Sequence, residues 1–380
     1  MDYGIYAHVP FCTRRCDYCD FFVAAGVRHD TAGFFRTLER DLARAVLETG
    51  PAPPGVDTIY VGGGTPSMVD PAFIGGFLRE CARCALPAGD AEVTIEANPE
   101  TVTPESAAFW LESGVTRLSL GVQSFASDVL SPRGRVYDGD GACAAFHHAR
   151  AAGFDNIGCD LIAGLPGETL ETFEAGLDRL LGELRPDHVS IYLLETEESL
   201  KHTPLSRAVR EGRAALSSDD DVVRMYETGC ERLAGAGYRH YEISNFCRPG
   251  RASRHNMKYW LSTPWIGIGP SACSYVNGRR ESRPADMSAW RMEVEENGAT
   301  RAPVPEASEA WREALILQLR LVAGVDPGEF SARWGGDAPP LLEALAAEPG
   351  FEDLIEREGA SYRLTSKGRL LSNEVFARIL

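Results

Sequence analysis

Basic charge is scarce in this 380-residue chain: 38 Lys and Arg stand against 55 Asp and Glu, for a net charge of −17. That balance argues against a general nucleic-acid binder, which needs a basic face. No uninterrupted apolar run is long enough to span a bilayer. The opening MDYGIYAHVPF lacks the basic segment and apolar stretch of a secretory signal, so a cytoplasmic protein is expected. Ten cysteines are too few for a disulfide scaffold at this length. Internal repeats are lacking, and the only biased tract is the Pro/Gly linker Pro51–Gly55. What is present is a chain that is 44% hydrophobic, enough for a sizeable core in one large domain or two.

Three of the cysteines are concentrated near the start, in HVPFCTRRCDYCDFF: Cys12, Cys16 and Cys19, spaced C-x3-C-x2-C. Thiolates are the usual ligands of iron–sulfur clusters, and three of them on a four-iron cubane leave one iron open. Phe11, Tyr18, Phe21 and Phe22 could shield such a cluster from water, one lever on its potential. Two plainer readings exist. A structural zinc would require a fourth ligand, for which His8 is the candidate. Three buried core thiols are the other, although the polar TRR and D insertions favour a loop. Cys81 and Cys84 form a C-x2-C pair inside a predicted helix and read as packing, as do Cys143, Cys159 and Cys230.

Short β-rich runs alternate with amphipathic stretches. Strands are predicted at Gly4–Pro10, Thr58–Gly62, Glu92–Ala97, Arg117–Gln123, Asn156–Leu165 and His188–Leu194. Helices are predicted at Thr31–Thr49, Pro71–Cys84, Pro104–Ser113, Gly139–Ala152, Leu170–Leu184 and Asp219–Ala236. Six β-then-α units imply an α/β protein with a parallel sheet and helices outside. The strands end in chemically marked loops, where parallel α/β proteins place function. Periodicity alone leaves a partial barrel and a doubly wound sheet both open. Beyond residue 237, strands are predicted at Tyr238–Asn245 and Trp265–Val276, helices at Asp286–Asn297 and Pro305–Val322, then a small module with a strand at Tyr362–Leu364 and a helix at Ser366–Leu380. The expected division is residues 1–237, 238–300 and 301–380. The run Arg248 to Arg254, followed by Lys258, is a candidate basic pocket for a carboxylate ligand.

Together the triplet, the strand order and the loop motifs resemble the radical S-adenosylmethionine (SAM) family, in particular its coproporphyrinogen III oxidase-like group, over essentially the whole chain. The resemblance implies a partial (β/α)6 TIM-like barrel followed by a small C-terminal α+β, winged-helix-like domain. It implies that Cys12, Cys16 and Cys19 hold a [4Fe–4S] cluster whose open iron is chelated by SAM. It further implies SAM contacts from Tyr6, from Gly62, Gly63, Gly64 and Thr65, and from Glu96, Gln123 and Asp160. An arginine of the group falls on Arg135, with Arg133 competing for the position. No residue is given a catalytic role.

Two features resemble the HemW branch of that group, whose members act as haem chaperones. Phe21 stands where the decarboxylating oxidases carry a further cysteine, and the extension those enzymes have before the first strand is expected to be missing. The run His255-Asn256-Met257-Lys258-Tyr259-Trp260 fits the branch's HNxxYW pattern, which implies haem binding with His255 as an iron ligand. Cys273 replaces the histidine of a GAHS-like stretch and is the other candidate ligand. The resemblance thus implies a [4Fe–4S] cluster, SAM and haem as cofactors and apo-haem respiratory proteins as acceptors, with a homodimer and peripheral association with the inner membrane face allowed. The alternative is an active radical SAM enzyme, either an oxygen-independent coproporphyrinogen III oxidase-like decarboxylase or a HemN-like methyltransferase. A winged-helix-like tail could read DNA grooves, but the acidic chain makes a structural or partner-docking role the expectation.

Overall fold

The computed structural model describes residues 2–26, 28–194, 203–296, 302–303 and 310–380. Six parallel strands stand side by side in chain order: β1 (Tyr3–Val9), β2 (Gly55–Gly63), β3 (Leu86–Ala97), β4 (Arg117–Gln123), β5 (Ile157–Ala163) and β6 (His188–Leu193). Spatial order that follows chain order curls a sheet one way, with the crossover helices outside; this is the partial barrel, and it does not close. A β-hairpin, β7 (Arg239–Glu242) and β8 (Asn245–Cys247), continues the sheet antiparallel beyond β6. At the other edge β9 (Trp265–Ile268) adds a seventh parallel strand against β1, and Cys273–Val276, Arg279–Ser282 and Ala302–Pro303 extend the sheet antiparallel.

The six major outer helices start at side chains that accept from backbone N–H groups at their first turns. Asp30 caps Thr31–Leu47, Asp70 caps Pro71–Cys84, Asp138 caps Gly139–Ala152 and Ser218 caps Asp219–Gly235. Thr103 and Thr169 close reciprocal capping boxes with Ser106 and Thr172. The strands alternate strictly. Ile5, Ile59, Val61, Ile95, Leu118, Leu120, Cys159 and Val189 join the helices' Phe34, Leu38, Leu42, Phe77, Trp110 and Phe146 in one apolar core. Each such buried Leu, Ile or Phe is worth about 1.5–3 kcal/mol. The opposite faces carry Tyr6, His8, Thr58, Tyr60, Thr94, Glu96, Arg117, Ser119, Asp160, His188 and Ser190, so the lumen is polar.

Two expected strands are split. Trp265–Val276 folds back on itself because Gly269 and Ser271 adopt left-handed conformations (φ +92° and +66°). Tyr238–Asn245 ends at Glu242, and the following strand returns beside it. The predicted helix Leu170–Leu184 is α-helical only to Arg179 and then widens into a π-turn. In the helix predicted at Pro305–Val322, residues 305–309 lie outside the described residues and the helix runs Ala310–Leu319; Asn297 and residues 300–301 are likewise outside them. The polar, aromatic stretch between β8 and β9 carries a seven-residue helix, Arg254–Trp260, which periodicity was too short to reveal. A second apolar core, with Leu315, Leu319, Phe330, Leu342, Leu364, Val375 and Ile379, gathers short helices around the hairpin Ile355–Glu358/Ser361–Leu364. No helix among the described residues is long and apolar enough to cross a membrane.

Candidate cluster and cofactor site

Cys12, Cys16 and Cys19 are free thiols, each half-buried, on the loop that leaves β1 at the carboxyl end of the sheet. The loop is held from several directions. Arg133 pairs with Asp17 (2.5 Å), and Arg135 donates to the Tyr18 hydroxyl from Nε (2.9 Å) and Nη2 (2.7 Å). The Leu205 amide donates to Asp17 O (2.8 Å), and Arg15 donates to Cys19 O. Both arginines that competed in the sequence therefore serve this loop, and Arg135 also reaches Asn98 Oδ1 (2.7 Å) on the loop after β3.

The glycine run after β2 lies against the same loop: the Gly64 amide donates to Val9 O (2.9 Å) and the Thr65 amide to Phe11 O (2.8 Å). Glycine is required here, since a Cβ on Gly64 would meet Pro10 and Phe11 backbone at 2.7 Å. Thr65 Oγ1 lies 3.4 Å from Cys12 Sγ and accepts from Asn98 Nδ2 (3.3 Å). Burial pushes the Cys12 thiol up, Thr65 acts downward, and Cys19 and Cys16 add an upward push. Burial likewise raises Cys19, with Cys16 adding to it. Among the described residues no three His, Cys, Asp or Glu side chains close on a single metal ion. Thiolates on separate irons of a cubane sit farther apart than ligands of one ion, and its irons would relieve the repulsion among the sulfurs. Three mutually repelling soft donors, with Arg135 nearby, fit a [4Fe–4S] cluster.

Below the loop the lumen holds two carboxylates. Glu96 accepts from the Tyr60 hydroxyl (2.8 Å) and the Gly63 amide (2.9 Å). It is partly buried, and that burial pushes its pKa to about 7 despite those two bonds. Asp160 accepts from Ser119 (3.0 Å) and Ser190 (2.6 Å), its strand neighbours on β4 and β6. Burial raises it, and Ser190, Arg117 and Ser119 act downward. Gln123 ends β4 across a register shift at φ +64°, an uncommon conformation for a non-glycine residue and one that concentrates at functional sites. Tyr6 lies deeper, between Tyr60 and His255 (ring centroids 6.0 and 6.3 Å), and contacts His8 Nδ1 through its hydroxyl (3.1 Å).

His255 sits at the other end of the lumen, away from the thiols. The helix Arg254–Trp260 plugs the amino end of the strands, with Glu92 accepting from the Arg254 and His255 amides (both 3.1 Å). The imidazole is fully buried, and both nitrogens are engaged, Nδ1 with Thr58 Oγ1 (2.8 Å) and Nε2 with the Tyr259 hydroxyl (2.9 Å). Burial and the nearby Lys258 lower its pKa to about 3, so the ring is neutral. The expected basic pocket is not there, because its cations are already satisfied. Arg248 stacks on Tyr238, Arg251 pairs with Asp155, Arg254 with Asp90, and Lys258 with Asp57 (2.7 Å). Cys273 lies half-buried on the antiparallel strand beside β9, where it pairs with Ser282.

Sequence reading missed Asn98, which joins Thr65 to Arg135, and Glu168, which is buried in the loop after β5. Glu168 accepts from Ser124 (2.8 Å) on the loop after β4 and from the Gly164 amide, and burial pushes its pKa to about 7. Both fall in strand-end loops, the one signal that could have singled them out.

Comparison with known proteins gives the family. Residues 6–180 match the radical SAM superfamily and residues 306–371 the HemN C-terminal domain. The chain is 32% identical over 378 residues to the heme chaperone HemW of Bacillus subtilis, covering 99% of this chain and 98% of the relative. It is 37% identical over 388 residues to the heme chaperone HemW of Mycobacterium tuberculosis, covering 100% and 95%. In fold it resembles the coproporphyrinogen III oxidase HemN of Escherichia coli, with a TM-score of 0.84 at 24% identity over 100% of this chain and 90% of that one. The chain belongs to the HemW family of the radical SAM superfamily.

Proposed function

We propose that this protein is a haem chaperone that carries a [4Fe–4S] cluster and SAM and passes haem to respiratory haem proteins. The observation that carries the reading is the placement of three free thiols on a loop braced by Arg133 and Arg135, directly above a lumen with two inward carboxylates, in a chain of this family. Cys12, Cys16 and Cys19 would hold the cluster, which when bound with SAM supplies one-electron chemistry. Gly62, Gly63, Gly64 and Thr65 let backbone approach the amino-acid part of SAM. Glu96, Gln123 and Asp160 offer acceptors to its cationic groups, Tyr6 and Tyr60 exclude water beneath them, and Arg135 stiffens the rim.

On this reading residues 1–237 hold cluster and SAM, 238–300 close the floor with the HNxxYW helix, and 301–380 form the small domain. For His255 to ligate haem iron it would have to exchange its hydrogen bond to Tyr259, so uptake there would be coupled to release of the floor helix; Cys273 is the second candidate ligand. A cytoplasmic location with peripheral attachment to the inner membrane face suits delivery to respiratory acceptors, and a homodimer is part of the proposal. Anaerobic reconstitution with iron and sulfide, followed by haem titration and SAM-product analysis of one sample, tests it. Stoichiometric haem binding and transfer to an apo-haem protein is expected, with little 5′-deoxyadenosine. Absence of haem uptake at micromolar concentration would refute the chaperone reading.

A further inference from the structure

Arg117 opens β4 and turns its guanidinium into the lumen, where it is 1% exposed. Its Nε and Nη1 have no hydrogen-bond partner among the described residues. A buried guanidinium left this way is costly unless nearby anions hold it. The anions are there. Burial acts to lower its pKa, Glu92 and Asp160 act to raise it, and the side chain stays cationic. Room for it comes from Gly158 on β5, where a Cβ would lie 3.2 Å from Arg117 Nη2 and 3.4 Å from His188 Nδ1. Thr94, the register partner of Arg117 on β3, is fully buried and its hydroxyl also lacks a partner, as does His188 Nδ1. These atoms make a polar chamber under the layer that holds Glu96 and Asp160.

Two carboxylates facing one enclosed space repel each other, and near neutrality one of them takes up a proton unless a cation intervenes. The charged and titratable groups facing Glu96 are Tyr6 from β1, Tyr60 from β2, Arg117 from β4, Asp160 from β5, Tyr192 from β6 and Tyr259 from the floor helix. Arg117 is the one permanent cation among them, and it also acts on Asp160. We propose that Arg117 is a positioning residue that supplies the counter-charge keeping Glu96 and Asp160 as anions turned toward a cationic ligand entering from the rim. This rests on the reading that those carboxylates contact SAM, a sulfonium cation with an ammonium group.

The test uses the 380-residue chain with Arg117→Met, Arg117→Lys and Gly158→Ala. In the ligand-free protein, the pH titration of the buried carboxylic-acid stretch is followed by infrared spectroscopy and assigned by its loss in Glu96→Gln. Arg117→Met should move the midpoint up by about one unit or more, and Arg117→Lys should restore most of it. In reconstituted protein, SAM binding by equilibrium dialysis should weaken about threefold at pH 7.5 and about eightfold at pH 6.5 in Arg117→Met, and converge with the wild type at pH 9. A folded Arg117→Met with an unmoved midpoint, or with an affinity loss equal at every pH, would overturn the proposal. If Arg117→Met does not fold, Gly158→Ala decides: it keeps the charge but displaces it, so an unmoved midpoint overturns the role. A midpoint that moves in Arg117→Met, beside a wild type that binds no SAM at any pH, would sink the SAM reading and leave the counter-charge role standing.

Discussion

The two ends of the barrel are built from similar residue types in opposite states. At the carboxyl end the thiols are free and half-buried, Gln123 is held at positive φ, and Glu96 takes two hydrogen bonds and keeps capacity for more. At the amino end both His255 nitrogens are bonded, the Glu92 carboxylate caps the floor helix and Lys258 is paired. An end with free thiols, spare acceptor capacity and strain is arranged for a ligand; a floor helix whose imidazole, capping carboxylate and ammonium are all engaged is arranged to stay in place. Sequence motifs marked both ends as functional, and only the hydrogen bonding separates them.

Substitutions can break this contrast. Changing Cys12, Cys16 or Cys19 to alanine should abolish the cluster's visible absorption and EPR signal after reconstitution while changing folding stability by no more than about 0.5 kcal/mol, the usual range for partly exposed positions. Glu92→Ala should do the reverse. It strands the buried His255 amide and the partly buried Arg254 amide of the floor helix and should cost about 2–3 kcal/mol in denaturant unfolding with cluster content intact. His255→Phe leaves the Thr58 and Tyr259 hydroxyls unpaired and should cost about 2 kcal/mol. If haem titration of that variant shows unchanged affinity, His255 belongs to the floor alone.

The smallest effect concerns Glu96, whose pKa is about 7 folded against 4.5 as its ordinary value. Between those pH values the folded chain keeps a proton that the unfolded chain has released, so this residue's contribution to stability falls as pH rises through that window and stays lost above it. Glu96→Gln should therefore stabilise the SAM-free protein by about 1–2 kcal/mol at pH 8, leave it unchanged at pH 4, and weaken SAM binding. A flat difference across pH would mean that Glu96 does not titrate there.

Much of the fold was legible because it rests on local rules. The first six strands and their helices follow from period-two and period-3.6 patterns with Asp, Ser or Thr at the helix starts. What stayed hidden depends on pairing between distant segments. The strand Trp265–Ile268 returns to pair with β1, more than 250 residues away along the chain. The floor helix is two turns long, and its identity comes from Glu92 and Thr58 rather than from its own pattern. The triplet, the glycine run and the strand-end carboxylates were visible as motifs. The satisfied state of Arg248, Arg251, Arg254 and Lys258 was not, because their respective partners Tyr238, Asp155, Asp90 and Asp57 sit on other elements.

The bracing of the cysteine loop has one more consequence. Arg133, Arg135 and the Leu205 amide grip Asp17 and Tyr18, which lie between the cysteines, so the polypeptide braces the loop through side chains and backbone other than the sulfurs. A molecule stripped of its iron by oxygen would keep a ready-made seat, and its repair would wait on a supply of iron and sulfide, with no need to refold.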